Sequence, residues 1–360
     1  MNAKTIALAA GGTGGHLYPA EALAQELLNR GHKVIIITDK RGSAFQKLGN
    51  KVQILCVRAA TMKPGVIKKI KAVIDIVIGI LQAALILRKF KPSVIIGFGG
   101  YPSYPTMFAG QLLGYPTILH EQNAILGKAN LHLADRAIAI AASLPDTRGI
   151  KPSNLGKVTV TGNPVRAAIC AVRDKPYPMI DNTFEIFITG GSQAAKVFGD
   201  IVPEAVRKLP EDIKRKLHIV HQCPEGSIAA TMEKYQSTRV RAEIKSFFND
   251  MPEKLSACHL FIGRSGASTV AEIAVVGRPA IFVPLLHADR QQFLNAELIT
   301  GKEGGWVMVQ ESFTPEALAE KLEYLIKNPA VLENAAKAAK SCGKPEAVKN
   351  LADLVETKLP

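Results

Sequence analysis

The feature of this sequence that most constrains its fold is a regular alternation of short β-branched runs with segments long enough to form helices. In the first half, these runs predict strands at residues 5–10, 34–38, 52–57, 94–98, 117–120 and 137–141. Strands joined through helices lie parallel, and the helices cover both faces of the sheet. The first half therefore predicts a doubly wound α/β domain.

The second half of the chain repeats this pattern. After the polar stretch RDKPYPMIDN, strands are predicted within FEIFITGG, KLHIVHQ, TRVRAEIKSF, HLFIGRSG and PAIFVPL. A chain of 360 residues also exceeds the size at which a single core keeps growing. We therefore predict two Rossmann-like domains, at residues 1–163 and 164–343, and a helix within residues 344–360 that packs back on the first domain.

Four glycine-rich loops follow predicted strands: GGTGG and GFGGYPS in the first half, TGGSQ and GRSGAST in the second. In open parallel sheets, ligands bind at the carboxyl ends of the strands, where such loops lie. A glycine loop that enters a helix offers backbone N–H groups and a positive dipole end to an anion. We therefore expect an anionic ligand in a cleft between the two domains.

The glycine patterns narrow the choice of anion site. The dinucleotide pattern GxGxxG fails because Leu17 stands at its third glycine, although Asp39 lies where such folds place a ribose-binding acid. A nicotinamide oxidoreductase therefore stays open as an alternative. The chain has no Walker P-loop, no GxSxG nucleophile elbow and no DxD metal-diphosphate motif, and its five cysteines are scattered. We expect no metal site and no cofactor.

The charge of the chain predicts an acidic partner. The formal net charge is +14, which suits a phosphorylated substrate or an anionic lipid surface. Aromatic residues make up only 6% and no nucleic-acid-binding motif is present, so we expect no nucleic acid partner. The N-terminal residues do not show the pattern of a secretory signal peptide, and we expect the protein to stay in the cytoplasm.

The longest apolar helix candidate is residues 66–92, with basic residues on both sides of its apolar run. The uninterrupted run from Ile76 to Leu87, broken only by Gln82, is too short to span a bilayer. We therefore predict a peripheral helix that packs one face on the sheet and presents another face to anionic lipid.

Seven motifs occur together and in order: GGTGGH, FGGYPSYP, HEQN, GNPVR, GGSQ, RSGAST and HADRQQ. The chain resembles the MurG family of bacterial peptidoglycan transferases along nearly its whole length. The resemblance implies a GT-B fold, in which two Rossmann-like domains with parallel sheets face each other across a cleft. It implies an inverting transfer of N-acetylglucosamine from UDP-GlcNAc to the 4-hydroxyl of the muramoyl sugar of lipid I. The product would be lipid II, which places the chain in cell wall biogenesis, cell shape and cell division, at the cytoplasmic face of the plasma membrane.

The resemblance also assigns roles to single residues. His16 and Glu121 are rival candidates for the catalytic base, and the dipole of the helix that begins near His16 favours a neutral imidazole. The acceptor diphosphate would be bound by Gly99, Gly100, Tyr101 and Ser103. The donor would be bound by Thr13, Gly14, Gly15, Asn123, Arg166, Ser192, Phe248, Arg264, Ala267, Ser268, Thr269, Val270, Ala271, Glu272, Gln291 and Gln292.

Within the donor set, Glu272 would bind the ribose hydroxyls, and Gln291 and Gln292 would contact the sugar, with Asp289 capping their helix. At position 248 the backbone would contact the uracil, so the Phe248 ring is expected to line the pocket. The sequence departs from the family pattern at Ala194, where a glycine is usual. A UDP-sugar epimerase on the same fold and a non-catalytic nucleotide-sugar sensor remain alternatives.

Overall fold

A computed structural model of the chain describes residues 3–40, 42–62, 64–191, 195–285 and 290–359, with backbone alone at 42–44, 46 and 47. The chain divides into two compact units, which are Met1–Arg166 with Pro345–Pro360, and Ala167–Lys344. Each unit is built on one parallel sheet.

The first unit contains a seven-stranded parallel sheet in the order β3-β2-β1-β4-β5-β6-β7. Its strands are β1 (Thr5–Ala9), β2 (Lys33–Thr38), β3 (Gln53–Cys56), β4 (Val94–Gly97), β5 (Thr117–Glu121), β6 (Ala139–Ala142) and β7 (Val158–Val160). The six strands predicted in this half are confirmed, and β7 is an edge strand that the sequence did not indicate. The order reverses between β1 and β4, which is where ligands bind in sheets of this kind.

The helices of the first unit pack on both faces of this sheet. They are α1 (Gly14–Asn29), α2 (Val66–Phe90), α3 (Gly100–Leu112) and α4 (Lys128–Leu133). One core joins Ile6, Leu8 and Ile36 of the sheet to Leu23 and Leu27 of α1. A second core, on the opposite face, joins Ala7, Ile95 and Leu119 to Ala83 of α2 and Met107 of α3.

The second unit contains a six-stranded parallel sheet in the order β10-β9-β8-β11-β12-β13. Its strands are β8 (Phe184–Thr189), β9 (Leu217–Gln222), β10 (Arg241–Lys245), β11 (Leu260–Gly263), β12 (Ala280–Phe282) and β13 (Gly305–Val307). The five predicted strands are confirmed, and the edge strand β13 was not predicted. Both sheets therefore have the Rossmann order, and the prediction of two Rossmann-like units is confirmed.

The helices of the second unit are α5 (Ala167–Cys170), α6 (Lys196–Lys208), α7 (Glu211–Lys214), α8 (Ile228–Gln236), α9 (Met251–Ala257), α10 (Ala267–Val276), α11 (Gln291–Thr300), α12 (Pro315–Lys327) and α13 (Pro329–Ser341). The first of them, α5, precedes β8, and the others follow strands of its sheet in the chain. The main core joins Ile186 and Ile188 of β8 to Phe198 and Val202 of α6 and Leu322 of α12.

The last helix, α14 (Ala347–Thr357), belongs to the first unit and packs against α1. Leu351 and Val355 are buried in the same core as α1. At the end of α1, Arg30 pairs with Asp353 at 2.6 Å and with Glu356 at 2.7 Å. Apolar contact and ion pairs together attach α14 to this unit.

The helix α2 is longer than the apolar run that predicted it. Its 25 residues are long and apolar enough to cross a membrane by length and composition, so the length argument against a span was wrong. The lysines at positions 68, 69 and 71 interrupt the apolar run but not the helix. One side of α2 is packed on its own unit: a Cβ on Gly79 would lie 1.9 Å from the Arg58 carbonyl oxygen.

Candidate active site

The first glycine loop joins β1 to α1. Thr13 is the N-cap of α1, and its carbonyl accepts the N–H groups of His16 and Leu17. The loop packs closely on the segment after β4, because a Cβ on Gly11 would lie 2.6 Å from Cβ of Pro102. Since β1 and β4 are the strands between which the sheet order reverses, the two loops form one surface at the expected binding edge.

His16 lies where this surface meets the end of β5. Its Nδ1 atom is 2.8 Å from the carbonyl oxygen of Phe98 and 2.6 Å from the side-chain amide of Gln122. Its Nε2 atom faces Gly100, where a Cβ would lie only 3.0 Å away. The structure therefore directs the second ring nitrogen of His16 at the loop predicted to bind the acceptor.

The second glycine loop turns sharply into α3. Gly99 and Gly100 have φ angles of 75° and 69°, which residues with side chains rarely adopt. The Ser103 side chain is buried, and its hydroxyl donates to the Gly100 carbonyl at 3.1 Å. Ser103 therefore stabilises the turn, while Tyr101 beside it is half-buried.

Glu121, the rival candidate for the base, ends β5 with a buried carboxylate that receives four hydrogen bonds. Oε1 accepts from the backbone and side-chain N–H groups of Asn123, at 3.0 and 3.1 Å. Oε2 accepts from the backbone N–H of Gly127 at 2.8 Å and from Asn130 at 2.9 Å. These four hydrogen bonds fix the loop that follows β5 to the Glu121 side chain. Because they occupy the oxygen atoms that would have to accept a proton, the geometry favours His16 over Glu121 as the base.

Two predicted donor-binding side chains of the first unit, Asn123 and Arg166, contact Glu121 and a residue near His16, respectively. The Asn123 side chain is oriented by its hydrogen bond to Glu121. The Arg166 guanidinium lies over the Tyr18 ring, 4.5 Å from its centroid. Because Tyr18 is two residues after His16 on α1, this cation–π contact attaches Arg166 to the helix that carries the candidate base.

His120 belongs to the HEQN motif, but the sequence alone did not assign it a role. The ring is fully buried beside Phe98, with the two ring centroids 5.2 Å apart. Burial lowers the pKa of His120 to about 3, so the ring is neutral at pH 7. His120 therefore places no positive charge beside His16.

In the second unit, the loop after β11 leads into α10, with Gly266 as its N-cap. The first hydrogen bond of this helix runs from the Val270 N–H to the Gly266 carbonyl. The first turn, Ala267 to Thr269, therefore presents N–H groups and a positive dipole end at the carboxyl edge of the sheet. This is a suitable site for a diphosphate.

The other predicted donor residues on and before α10 differ in burial and in hydrogen bonding. Glu272 is only 7% exposed, which excludes a solvent-facing helix position. Arg264 donates to the Val283 carbonyl at 2.9 Å and to the Gln310 side chain at 2.6 Å, and burial lowers its pKa. Val270 is buried and Ala271 is half-buried along α10.

The Phe248 ring is packed inside the second unit. It is 2% exposed and packs edge-on against Phe187 of β8. The expectation that this ring lines the donor pocket stays a prediction. The backbone at Phe248 remains the predicted contact for the uracil of the donor.

A hydrogen-bonded chain that sequence analysis missed links the loop after β8 to the segment before Phe248. The Thr189 hydroxyl donates to Oε1 of Gln222 and accepts the N–H of Gly191 at 3.0 Å. The Gln222 amide then donates to the Ser246 carbonyl at 3.1 Å. The loop after β8 and the segment before Phe248 are thus positioned by the same two side chains, Thr189 and Gln222.

Some predicted residues lie at the limits of the described chain. Ser192, Ala194 and Asp289 lie outside the described residues. The helix α11 begins at Gln291, with Arg290 at the N-cap position. Gln292 accepts the Leu285 N–H at 2.8 Å, and Gln291 is half-buried beside it.

Within the described residues, no group of three or more acidic, histidine or cysteine side chains is placed to hold a metal ion.

Comparison with known families finds matches in both halves. Residues 6–142 match the glycosyltransferase family 28 N-terminal domain, and residues 185–353 match the family 28 C-terminal domain.

The curated relatives match along the whole chain. One from Rhodospirillum centenum is 47% identical, covering 99% of this chain and 94% of its own length. One from Paramagnetospirillum magneticum is 42% identical, covering 99% of this chain and 97% of its own. Both are named UDP-N-acetylglucosamine--N-acetylmuramyl-(pentapeptide) pyrophosphoryl-undecaprenol N-acetylglucosamine transferase.

Solved structures give a consistent picture. MurG of Acinetobacter baumannii superimposes with a TM-score of 0.79 at 28% identity, covering 98% of this chain and 99% of that one. A UDP-GlcNAc 2-epimerase from Neisseria meningitidis gives a TM-score of 0.68 at 17% identity, covering 98% of this chain and 100% of that one. At 17% identity this second match shows the fold alone.

Proposed function

Since the chain belongs to the MurG family, within glycosyltransferase family 28 and with the GT-B fold, we propose that it transfers N-acetylglucosamine from UDP-N-acetylglucosamine to N-acetylmuramyl-(pentapeptide) pyrophosphoryl-undecaprenol. The observation that carries this proposal is full-length identity of 42–47% to relatives named for this reaction. The epimerase alternative has only a fold-level match in its support.

The acceptor is activated by His16. Its Nε2 accepts the proton of the 4-hydroxyl of the muramoyl sugar as that oxygen attacks the anomeric carbon of the donor. The position of Nε2 against Gly100 supports this role, and so do the four hydrogen bonds that occupy the Glu121 carboxylate. Backbone groups of Gly99 and Gly100, with Tyr101, bind the diphosphate of the acceptor.

The donor is bound mainly by the second unit. The first turn of α10, preceded by Arg264, receives the UDP diphosphate, and Glu272 accepts hydrogen bonds from the ribose hydroxyls. Ser192, Gln291, Gln292 and the backbone at Phe248 complete this set. From the first unit, the loop Thr13 to Gly15, Asn123 and Arg166 contact the donor sugar and its phosphates.

The chemistry balances as a single displacement. A bond forms between the acceptor oxygen and the anomeric carbon while the bond from that carbon to the UDP oxygen breaks. The electron pair leaves on the β-phosphate, where helix N-termini and backbone N–H groups stabilise the negative charge. Attack opposite the leaving group inverts the anomeric carbon.

Binding to the inner face of an anionic membrane brings the chain to its lipid acceptor. The first unit carries 23 Lys and Arg against 10 Asp and Glu, a net +13, while the second carries 22 against 21, a net +1. On α2, which belongs to the first unit, an apolar side chain is exposed on each successive turn: Ile67, Ile70, Ile74, Val77, Leu81 and Leu85. Both features suit a peripheral attachment through the first unit.

The test of this function is acceptor-dependent release of UDP. The purified chain is given UDP-N-acetylglucosamine with and without a lipid-linked muramyl-pentapeptide diphosphate, and UDP is measured over time. We expect release only when the acceptor is present. UDP release without the acceptor would favour a hydrolase, and an epimerised nucleotide sugar without net UDP release would favour an epimerase. Tight UDP binding with neither outcome would favour a sensor.

A further inference from the structure

The hydrogen bonds of His16 do not fit together unless its proton and the Gln122 amide have one particular arrangement. The ring nitrogen Nδ1 is 2.8 Å from the Phe98 carbonyl oxygen and 2.6 Å from Nε2 of Gln122. A carbonyl oxygen only accepts hydrogen bonds, whereas an amide nitrogen only donates them. One ring nitrogen cannot donate to the first and accept from the second at once.

The Phe98 carbonyl decides between the two tautomers. If Nδ1 carried a lone pair, that lone pair would face a carbonyl oxygen at 2.8 Å, which is repulsive. Nδ1 therefore carries the hydrogen and donates it to Phe98. A neutral imidazole with its proton on Nδ1 has its lone pair on Nε2.

The Gln122 amide then presents its oxygen, not its nitrogen, to Nδ1. A half-turn of the amide exchanges Oε1 and Nε2 without moving the rest of the side chain. Two further observations support the exchange. As placed, Oε1 of Gln122 is buried without a hydrogen-bond partner among the described residues. The side chain also interacts with His120, whose Nδ1 is buried and unpartnered in the same part of the structure and can accept an amide N–H.

We propose that Gln122 is a positioning residue that acts with the Phe98 carbonyl to hold His16 with its proton on Nδ1, so that Nε2 faces the acceptor loop as the proton-accepting atom. This inference rests on the proposed role of His16 as the base. When Nε2 takes up the acceptor proton, the ring becomes positive, and its Nδ1 hydrogen bond to two oxygen atoms strengthens.

The titratable neighbours do not supply this control. His120 is neutral because its pKa lies near 3, and the Glu121 carboxylate receives its hydrogen bonds from Asn123, Gly127 and Asn130. Gln122 is 5% exposed, so solvent does not compete for its amide. A neutral amide orients the ring without the strong rise in basicity that a carboxylate would cause.

The first test measures the tautomer directly. Ring-¹⁵N-labelled histidine is introduced into the full chain, and the His16 signals are assigned by their loss in His16→Asn. We expect nitrogen shifts of a protonated Nδ1 and an unprotonated Nε2 at neutral pH. A proton on Nε2 would overturn the inference, and this spectrum does not depend on activity.

The second test separates positioning from folding. Gln122→Met removes the acceptor oxygen with little change of volume. The control Gln111→Met removes a half-buried amide that donates to the Thr117 hydroxyl and the Leu133 carbonyl. We expect kcat to fall at least about tenfold in Gln122→Met, with the KM for UDP-N-acetylglucosamine unchanged, and no fall in Gln111→Met. A rise in KM at constant kcat, or equal losses in both variants, would contradict the inference.

The third variant, Gln122→Glu, restores an oxygen acceptor and adds a charge. We expect it to keep the proton on Nδ1, to recover activity relative to Gln122→Met, and to move the acid limb of the kcat/KM profile to higher pH. An unmoved acid limb would contradict contact between residue 122 and the base. Failure of the wild-type chain to make any product would instead contradict the proposed function and leave the tautomer measurement to decide this inference.

Discussion

At the scale of single residues, Gly100 combines two constraints that only glycine satisfies. Its φ angle is 69°, and a side chain there would press on Nε2 of His16 from 3.0 Å. His16 cannot move away easily, because its Nδ1 is held by Phe98 and Gln122. The same glycine thus permits the turn into α3 and leaves space for the base.

We predict that Gly100→Ala abolishes most of the activity and leaves the chain folded. The backbone strain costs about 1 kcal/mol, and the new methyl group displaces the His16 ring. The matched control is Gly114→Ala, which has φ of 78° and no atom within 4 Å of the new Cβ. Thermal unfolding and transfer rates are measured for both.

Both variants carry the backbone strain, and Gly100→Ala loses further stability because its methyl group presses on His16. Only Gly100→Ala should lose transfer. Equal activity in both would show that the ring of His16 does not need the space beside Gly100.

The residue types of this site could be predicted from the sequence, but their partners could not. From the sequence, Glu121 of the HEQN motif and His16 of the GGTGGH motif were both candidates for the catalytic base. The sequence does not show that four N–H groups donate hydrogen bonds to the Glu121 carboxylate. Gln122 lies 106 residues from His16 along the chain, and only the pairing of β1, β4 and β5 in one sheet brings them together.

At the scale of helices and strands, α2 combines a packed side and an exposed apolar side. Ala83 and Leu87 are fully buried, while Ile74 and Leu81 are 53% and 61% exposed. The packed side ties the helix to its unit through Gly79 and the Arg58 carbonyl. Lys68, Lys69 and Lys71 are also exposed in its first turns, and an exposed apolar face beside cations is typical of a surface that meets lipid.

We predict that the chain binds vesicles containing anionic lipid and that binding weakens as salt rises, because the first unit carries the net charge. Replacing Ile74 and Leu81 by Glu should weaken binding at least about tenfold, since two apolar side chains and the surface charge are lost. Sedimentation with vesicles measures both effects.

The control for this variant is Met179→Glu with Met232→Glu, which makes the same change of charge on exposed residues of the second unit. It should bind almost as the wild type does. Equal binding of wild type to neutral vesicles would exclude the electrostatic contribution, and an equal loss in the control would exclude α2 as the contact.

The elements themselves were largely predictable. Eleven predicted strands are present, and most of them are buried parallel strands that appear as continuous apolar runs. The edge strand β10, RAEIK, is an exception, with one buried residue. The strands β7 and β13 were missed since each has three residues at a sheet edge, too short for a periodic signal. The predicted bounds of α2, residues 66–92, agree with the observed Val66–Phe90; only the length argument failed, because it counted the apolar run after the lysines and not the whole helix.

At the scale of the whole molecule, charge and chemistry divide between the two units. The first has a net charge of +13, the apolar side of α2 and His16, and the second has the α10 N-terminus and Glu272. The division of the binding residues could be predicted from the resemblance, since the acceptor motif FGGYPSYP lies in the first half and the donor motifs GGSQ and RSGAST lie in the second. The division of charge was not predicted. Both divisions agree with an acceptor held in lipid and a donor taken from solution.

The proposed reaction transfers the sugar to the lipid-linked acceptor with inversion of the anomeric carbon. The direct measurement is the product formed from ¹³C-labelled UDP-N-acetylglucosamine and the muramyl-pentapeptide diphosphate acceptor, identified by mass and by the anomeric coupling constant. We predict an acceptor heavier by one labelled N-acetylglucosamine residue in β linkage. Labelled free sugar, an epimerised nucleotide sugar or an α-linked product would contradict the account.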